Sequence, residues 1–447
     1  MEEFSRDIIN ELEKWMAREN RKPLVLRGAR QVGKTSVVNI FGQRFDNYLY
    51  VNLDNEQVRT EIERTQNVQD LIQTVFIQSG QMRRNGKTLI FFDEIQNSSK
   101  VVGMLRYFYE QEQHLYVIAA GSLLESMIDR HISFPVGRVE YLAMHPVSYR
   151  EYLSACGEYA LRALLEQDFT RSSIYHERLM KEFNMYALIG GMPEVVQHYI
   201  KHQDIYALDT IYDTLLTGFA DDVEKYASNK TQVEIIRHVI TVGMLQAGQQ
   251  IAFQHFGNSN YKSREMGEAM RTLEKAMLIE LCYPVTTSIQ PAIPNHSRAP
   301  KLLWLDMGLV SAAAHNKREV FTANSLFDIW KGAYAEQVVG QELLTLSNRV
   351  MQRRVFWVNK NSQSAVEVDF LYEYNGRLVP IEVKLGHNAH LRSLHQFMDS
   401  SPNDVAIRIW NNPFSIDDVI TPNNKSFRLV NIPFYLVGHL PQILEKI

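Results

Sequence analysis

The sequence predicts an α/β protein whose leading part is a parallel sheet flanked by helices. Three observations carry that reading. Short apolar strands alternate with helical stretches through residues 1–145. A glycine-rich turn, Gly28 to Thr35, fits G-x-x-x-x-G-K-[ST] and joins the first strand to a helix. A later apolar strand begins at Thr88 and ends in two carboxylates, Asp93 and Glu94.

Taken in order, Phe4, Ile8, Ile9, Leu12, Trp15 and Met16 recur at helical spacing over residues 3–18, and Pro23 stops that helix. Leu24-Val25-Leu26 reads as a short buried strand, and Thr35 to Phe45 as a helix. Tyr48 to Leu53, Thr88 to Phe92 and Leu115 to Ala120 are further strands. The pattern changes near His145-Pro146. Residues 146–228 read as a mostly helical lid, broken at Gly190-Gly191-Met192-Pro193. In residues 229–322, Gln232 to Leu245 is a periodic helix. Lys262 to Ile279 is another, running directly into the strand-like Glu280 to Val285. A proline-containing loop and the strand Leu302 to Leu305 follow. Helix, helix, strand, loop, strand is the outline of a winged helix. Residues 323–447 open a last α/β unit, with a helix around Lys331 to Leu346, strands around 354–358, 366–372 and 378–384, and a mixed tail.

Composition bounds the function. At about 150 residues per domain, 447 residues predict about three domains. The net charge of −4 excludes a globally basic nucleic-acid coat and leaves room for a local basic groove. Cys156 and Cys282 are too few for a disulfide framework or a cysteine-built zinc site, which fits a reducing, cytoplasmic setting. The opening MEEFSRDIINELEKW is acidic and amphipathic, without an apolar signal core. No run of about 18 apolar residues exists, so no membrane-spanning helix is expected.

The glycine-rich turn carries chemistry. Gly28, Ala29, Arg30, Gln31, Val32, Gly33, Lys34 and Thr35, with Ser36 following, form a loop whose backbone N–H groups face inward toward phosphate. Lys34 is placed to reach the β- and γ-phosphates of ATP, and the Thr35 hydroxyl to ligate Mg²⁺. Asp93 can hold Mg²⁺ through water, while Glu94 orients or deprotonates the attacking water.

With these residues in place, the chain resembles the bacterial and archaeal AAA-family P-loop ATPases fused to a C-terminal domain of unknown function. The matching stretches are Arg30 to Thr35, Phe92-Asp93-Glu94-Ile95-Gln96, Ala120-Gly121-Ser122, Gly137-Arg138, Gly190 to Pro193 and Asp306-Met307-Gly308-Leu309. The resemblance implies that Ser122 senses the γ-phosphate. It implies that Arg138 is an arginine able to reach phosphate in a neighbouring subunit of a homo-oligomer; the alternative is a surface salt bridge.

In the winged-helix-like segment, the second helix carries Lys262, Arg264, Arg271 and Lys275, but also Glu265, Glu268 and Glu274. Alternating signs read as a solvated face and favour an interdomain or oligomer contact over a DNA footprint.

Near the C-terminus, Asn375-Gly376 is a strong hairpin signal. If these two form the loop, Tyr374 faces Arg377, Pro380 faces Leu371, and Asp369 lies directly opposite Glu382 at a non-hydrogen-bonded position. Lys384 shares that face. Facing carboxylates repel, so something must compensate, and a divalent cation, Mg²⁺ or Mn²⁺, is the natural candidate. The pattern resembles the PD-(D/E)xK nuclease superfamily, which implies a restriction-endonuclease-like fold. The resemblance makes Asp369, Glu382 and Glu336 metal ligands and Lys384 catalytic.

Two readings follow. In the first, ATP hydrolysis controls a metal-dependent nuclease-like domain acting on DNA or RNA. In the second, the protein is a nucleotide-dependent switch or scaffold whose nuclease-like domain is inactive and binds a protein partner. A small-molecule kinase fits less well, because no acceptor pocket is evident and the long C-terminal region goes unexplained.

Overall fold

The computed structural model describes residues 6–82, 85–121, 135–222, 227, 229–314, 332–359, 366–385 and 391–447. The chain divides into two compact units. One comprises Met1–Pro146, Lys275–Met277 and Asn348–Met351; the other comprises Val147–Glu274, Leu278–Ser347 and Gln352–Ile447.

In the first unit, α1 (Ile8–Met16) buries Ile8, Ile9, Leu12 and Trp15, the stripe its spacing predicts. There follow β1 (Leu24–Arg27), α2 (Lys34–Gly42), β2 (Asn47–Asn52), α3 (Glu56–Glu63), α4 (Val68–Ser79), β3 (Thr88–Asp93), α5 (Ser99–Gln111), β4 (Tyr116–Gly121) and β5 (Glu140–Ala143). The five strands run in the order β2-β3-β4-β1-β5, and every pairing is parallel. β3 and β4 are buried along their whole length, as expected of central strands covered on both faces. Leu49, Val51, Ile90, Phe92, Val117 and Ala119 of the sheet share a core with Leu71, Ile72 and Val75 of α4 and Leu105 and Phe108 of α5. Burying each such large side chain contributes about 1.5–3 kcal/mol.

Two boundaries differ from the sequence reading. α2 stops at Gly42, and residues 43–45 continue as a turn in which the Phe45 N–H reaches the Gly42 carbonyl at 3.1 Å. The fifth strand, Glu140–Ala143, lies at the sheet edge and is half-exposed, so it carries no apolar run to reveal it.

The second unit begins with helices α6 (Tyr149–Ala155), α7 (Tyr159–Gln167), α8 (His176–Ile189), α9 (Pro193–His202) and α10 (Leu208–Asp222). α6 opens on a complete capping box, Ser148 with Glu151. Next come α11 (Lys230–Gly243) and α12 (Ser263–Lys275), then β6 (Ile279–Cys282), β7 (Pro284–Val285) and β8 (Lys301–Trp304). The expected helix Lys262 to Ile279 is therefore too long. The chain turns at Met277, whose φ is +60°, and Ile279 already opens a strand. The expected strand Glu280 to Val285 is also split. β6 pairs antiparallel with β8 in a two-stranded sheet, whereas β7 joins a different sheet.

α13 (Met307–Ala313) follows β8 and is N-capped by Asp306, whose Oδ1 accepts from the Leu309 N–H at 3.2 Å. The other oxygen of Asp306 accepts from the Gly191 N–H at 2.5 Å. The Gly190–Pro193 and Asp306–Leu309 stretches thus meet in one buried junction.

The remaining elements are α14 (Gly332–Thr345), β9 (Val355–Val358), β10 (Glu367–Tyr374), β11 (Arg377–Val383), α15 (Arg392–Ser400), β12 (Val405–Trp410), β13 (Ser415–Ile420), β14 (Ser426–Pro433) and α16 (Leu440–Lys446). They build a mixed seven-stranded sheet in the order β13-β14-β12-β11-β10-β9-β7. Val368, Leu371, Leu378, Phe397, Met398 and Leu429 belong to its core.

Candidate functional site

A parallel sheet puts all its C-terminal strand ends on one edge, and that edge gathers the candidate nucleotide site. β1 delivers the chain to Gly28, where the Met144 carbonyl lies so close that a Cβ would collide with it. Gly33 takes φ +93°, a left-handed conformation that glycine adopts without steric cost. Gln31 takes φ +64°, so the loop curls before α2 begins at Lys34. Ala29 and Val32 are fully buried, while Arg30 and Gln31 are exposed and Ser36 is half-buried in the first turn of α2. The first N–H groups of a helix have no partner within it, which makes this end of α2 suited to an anion.

Lys34 Nζ donates to the carbonyls of Gly28 at 3.0 Å and Ala29 at 2.8 Å. Burial pulls its pKa down to about 8, against the opposing charges of Glu94 and Asp93. Thr35 Oγ1 donates to Asp93 Oδ2 at 2.7 Å. This hydroxyl and carboxylate are hard oxygen donors side by side, so these two residues fit Mg²⁺. Glu94 follows at φ +52°, and the Gln96 amide donates to its carboxylate.

Two residues of this site escaped the sequence reading. The Tyr50 hydroxyl donates to Asp93 Oδ2 at 3.2 Å. β2 pairs in register with β3, Asn52 beside Asp93, and this places Tyr50 near the acid. Arg6 is buried; it donates to the Val32 carbonyl at 3.0 Å and to the His145 carbonyl at 2.7 Å, tethering the loop from outside the motif.

Of the other two expected members, one is described and stands apart. Arg138 Nε lies 3.0 Å from Glu110 Oε1, an oxygen that Arg106 also contacts at 2.9 Å. Those two arginines hold the Glu110 carboxyl below its usual range. β4 ends at Gly121; Ser122 lies outside the described residues.

The second candidate cluster belongs to the seven-stranded sheet. Asn375 and Gly376 both take positive φ, +48° and +72°, as a type I′ turn requires. Tyr374 pairs with Arg377 and Leu371 with Pro380, and the ladder runs to Phe370 and Ile381. One step further, Asp369 Oδ2 accepts from the Val383 N–H at 2.8 Å. Asp369 and Glu382 are both buried, and Lys384 Nζ contacts Glu382 Oε1 at 2.8 Å. Glu336 of α14 joins them through Lys301, the first residue of β8. Lys301 Nζ lies 2.7 Å from Glu336, 3.4 Å from Glu367 and 3.6 Å from Asp369 Oδ1.

Burial, reinforced by the Asp369 charge, raises the carboxyls of Glu336 and Glu382 to about 8. Burial alone would lower Lys301, but the charges of Asp369, Glu336 and Glu367 outweigh it and hold the ammonium above its ordinary range. Lys384 is likewise raised: the Glu382 and Asp369 charges overcome the effect of burial. Among the described residues, no three histidine, cysteine or carboxylate groups are placed to hold a metal ion. Of the three carboxylates expected to hold a divalent ion, Glu336 and Asp369 lie against Lys301 and Glu382 against Lys384. The sequence reading missed Lys301 and Glu367. Lys301 sits one residue before the expected strand, where a lysine reads as a solvated flank.

Three family models match parts of the chain: an AAA domain over residues 20–153, a domain of unknown function (DUF8612) over residues 180–319, and another (DUF4143) over residues 331–434. No curated protein matches. Among solved structures, the Walker-type ATPase of Pyrococcus abyssi is 12% identical, with 70% of this chain and 96% of that one covered at a TM-score of 0.44. The ORC1 protein of Aeropyrum pernix in complex with DNA is 12% identical, with 70% and 93% covered at a TM-score of 0.27. AMPPCP-bound DnaA from Aquifex aeolicus is 9% identical, with 61% and 87% covered at a TM-score of 0.27. Among the described residues, no helix is long and apolar enough to cross a membrane. The family match and the parallel sheet with its phosphate loop agree: residues 20–153 match an AAA domain, and the sheet has the α/β architecture of a P-loop NTPase.

Proposed function

We propose that the protein is an ATP-hydrolysing switch, in which the leading domain turns over ATP and the C-terminal nuclease-like domain serves as a docking module for a protein partner. The observation that carries the hydrolytic half is the Thr35–Asp93 bond of 2.7 Å, which joins the phosphate loop to the end of the acidic strand. Residues Gly28 to Ser36 hold the phosphates, and Lys34 leaves its two carbonyl partners for the terminal phosphates. Thr35 and Asp93 hold Mg²⁺, which neutralises charge developing on the phosphates when bound. Glu94 takes the proton of the attacking water, and Gln96 fixes its carboxylate. Glu94→Gln keeps nucleotide binding and lowers turnover by about 10²–10⁴-fold. Unchanged turnover in that variant removes Glu94 from the role.

Arg138 is the candidate for action across a subunit boundary, exchanging Glu110 for a neighbour's phosphate. Mixed Arg138→Ala and Glu94→Gln proteins then recover part of the activity that each has lost. Failure to complement leaves Arg138 as the salt bridge it forms with Glu110.

The docking reading of the C-terminal domain rests on Lys301 among its carboxylates. The rival reading is a metal-dependent nuclease controlled by ATP. Incubation with DNA and with RNA in Mg²⁺ or Mn²⁺ separates them, since cleavage lost in Lys384→Ala supports the nuclease and sinks the docking module.

A further inference from the structure

We propose that Lys301 is the resident cation of the C-terminal carboxylate cluster, standing in place of a divalent metal and tying the middle segment of the chain to the C-terminal sheet. The inference deepens the docking-module reading and rests on it.

Three carboxylates and two aromatic rings surround the Lys301 ammonium. Lys301 is 1% exposed, at the start of a strand whose other three residues are apolar and buried. Its ammonium has three N–H donors. Glu336 Oε2 takes one at 2.7 Å, and the Asp369 carbonyl lies at 3.4 Å. The carboxylates of Glu367 and Asp369 stand at 3.4 and 3.6 Å. The rings of Phe356 and Phe370 flank the charge, with centroids at 4.8 and 5.8 Å, close enough for cation–π attraction. Magnesium would need oxygens at about 2.0–2.1 Å, and Lys301 Nζ already lies 2.7 Å from Glu336 Oε2 and 3.6 Å from Asp369 Oδ1, two of the expected ligands. The two cations therefore compete for the Glu336 and Asp369 carboxylates.

The cage also joins separate stretches of sequence. Lys301 lies in the stretch matched over residues 180–319, and its carboxylate partners lie in the one matched over residues 331–434. Antiparallel pairing with β6 and the Gln250 bridge hold Lys301 from the middle segment. The Gln250 amide also donates to Glu367, doubling the tie. Glu336 and Asp369, two of the carboxylates expected to bind metal, here bind another part of their own chain.

Mn²⁺ titration of the full chain without nucleotide, followed by electron paramagnetic resonance, tests this. Wild type and Asp369→Asn are expected to bind Mn²⁺ alike. Lys301→Met is expected to gain one further Mn²⁺ per chain, and adding Asp369→Asn removes it. A folded Lys301→Met protein that gains no Mn²⁺ overturns the proposal. If Lys301→Met does not fold, the first pair decides: Mn²⁺ bound by wild type and lost in Asp369→Asn overturns it, and equal binding upholds it. The docking reading fails separately. Nucleic-acid cleavage without Asp369-dependent Mn²⁺ overturns that reading and leaves Lys301 in its role. Asp369-dependent Mn²⁺ without cleavage does the reverse.

Discussion

The phosphate loop and the C-terminal hairpin use the same residue types, acids at strand ends beside a buried lysine, and use them in opposite ways. Lys34 rests on two neutral carbonyls, and Asp93 accepts from the hydroxyls of Thr35 and Tyr50. Among the described residues no acid is ion-paired with the lysine there. At the hairpin, Lys301 is spent on Glu336 and Asp369, and Lys384 on Glu382. A carboxylate whose counter-ion is another part of the fold contributes to structure. One held by exchangeable hydroxyls remains available to a ligand.

The sharpest way to break this comparison is to make one substitution in both places. Lys301→Met leaves buried carboxylates without their cation and should cost about 3–5 kcal/mol of stability, read in a chemical melt. Lys34→Met removes only a neutral-acceptor pair and should cost about 1 kcal/mol. Its effect appears instead in nucleotide affinity, where losing a charged hydrogen bond worth about 1.5–3 kcal/mol weakens binding roughly 10- to 100-fold. Equal stability losses in the two variants would erase the distinction.

A pH series comes next. In the second unit, burial lifts the folded-state pKa of Asp306 to about 6, Glu342 to about 7, and Glu336 and Glu382 to about 8. A carboxyl raised on folding binds its proton more tightly in the native state. Its stabilisation is complete at pH below the unfolded value and is lost as pH rises through the folded one. His439 opposes this at lower pH. Burial drops its pKa to about 3, so its contribution is present above the ordinary histidine range and lost below it. Stability should therefore fall between about pH 6.5 and 8, and Glu382→Gln should flatten that slope. A stability that rises across the window would contradict the assigned burial.

The smallest effect belongs to Tyr50→Phe. It removes one of two hydroxyl donors to Asp93, worth about 0.5–1.5 kcal/mol. Nucleotide affinity should shift a few-fold in Mg²⁺ and stay unchanged in EDTA, because Tyr50 acts through Asp93. An equal shift in both buffers would place Tyr50 on the nucleotide itself.

What the sequence made legible follows from periodicity and local chemistry. β3 and β4 announce themselves as apolar runs because both faces are covered, and Asn375-Gly376 specifies its turn because few residue pairs accept two positive φ values. The register at Tyr374–Arg377 then follows by counting. Long-range partners were not legible. Arg6 reaches Val32 and His145 from a segment with no motif, and Lys301 meets its acids across tens of residues, with nothing local to mark it. The edge strand Glu140–Ala143 was missed because a half-exposed strand has no apolar signature.

Lys34 has one more consequence. With a pKa near 8, part of its population is uncharged in mildly alkaline solution. A bound phosphate favours the charged form and raises that pKa, so nucleotide arrival draws a proton from the buffer. The heat of binding then depends on the buffer's own ionisation enthalpy, and affinity declines as pH climbs through 8 and beyond. The loop lysine is thus expected to couple nucleotide capture to proton uptake, which calorimetry in buffers of different ionisation enthalpy reads out.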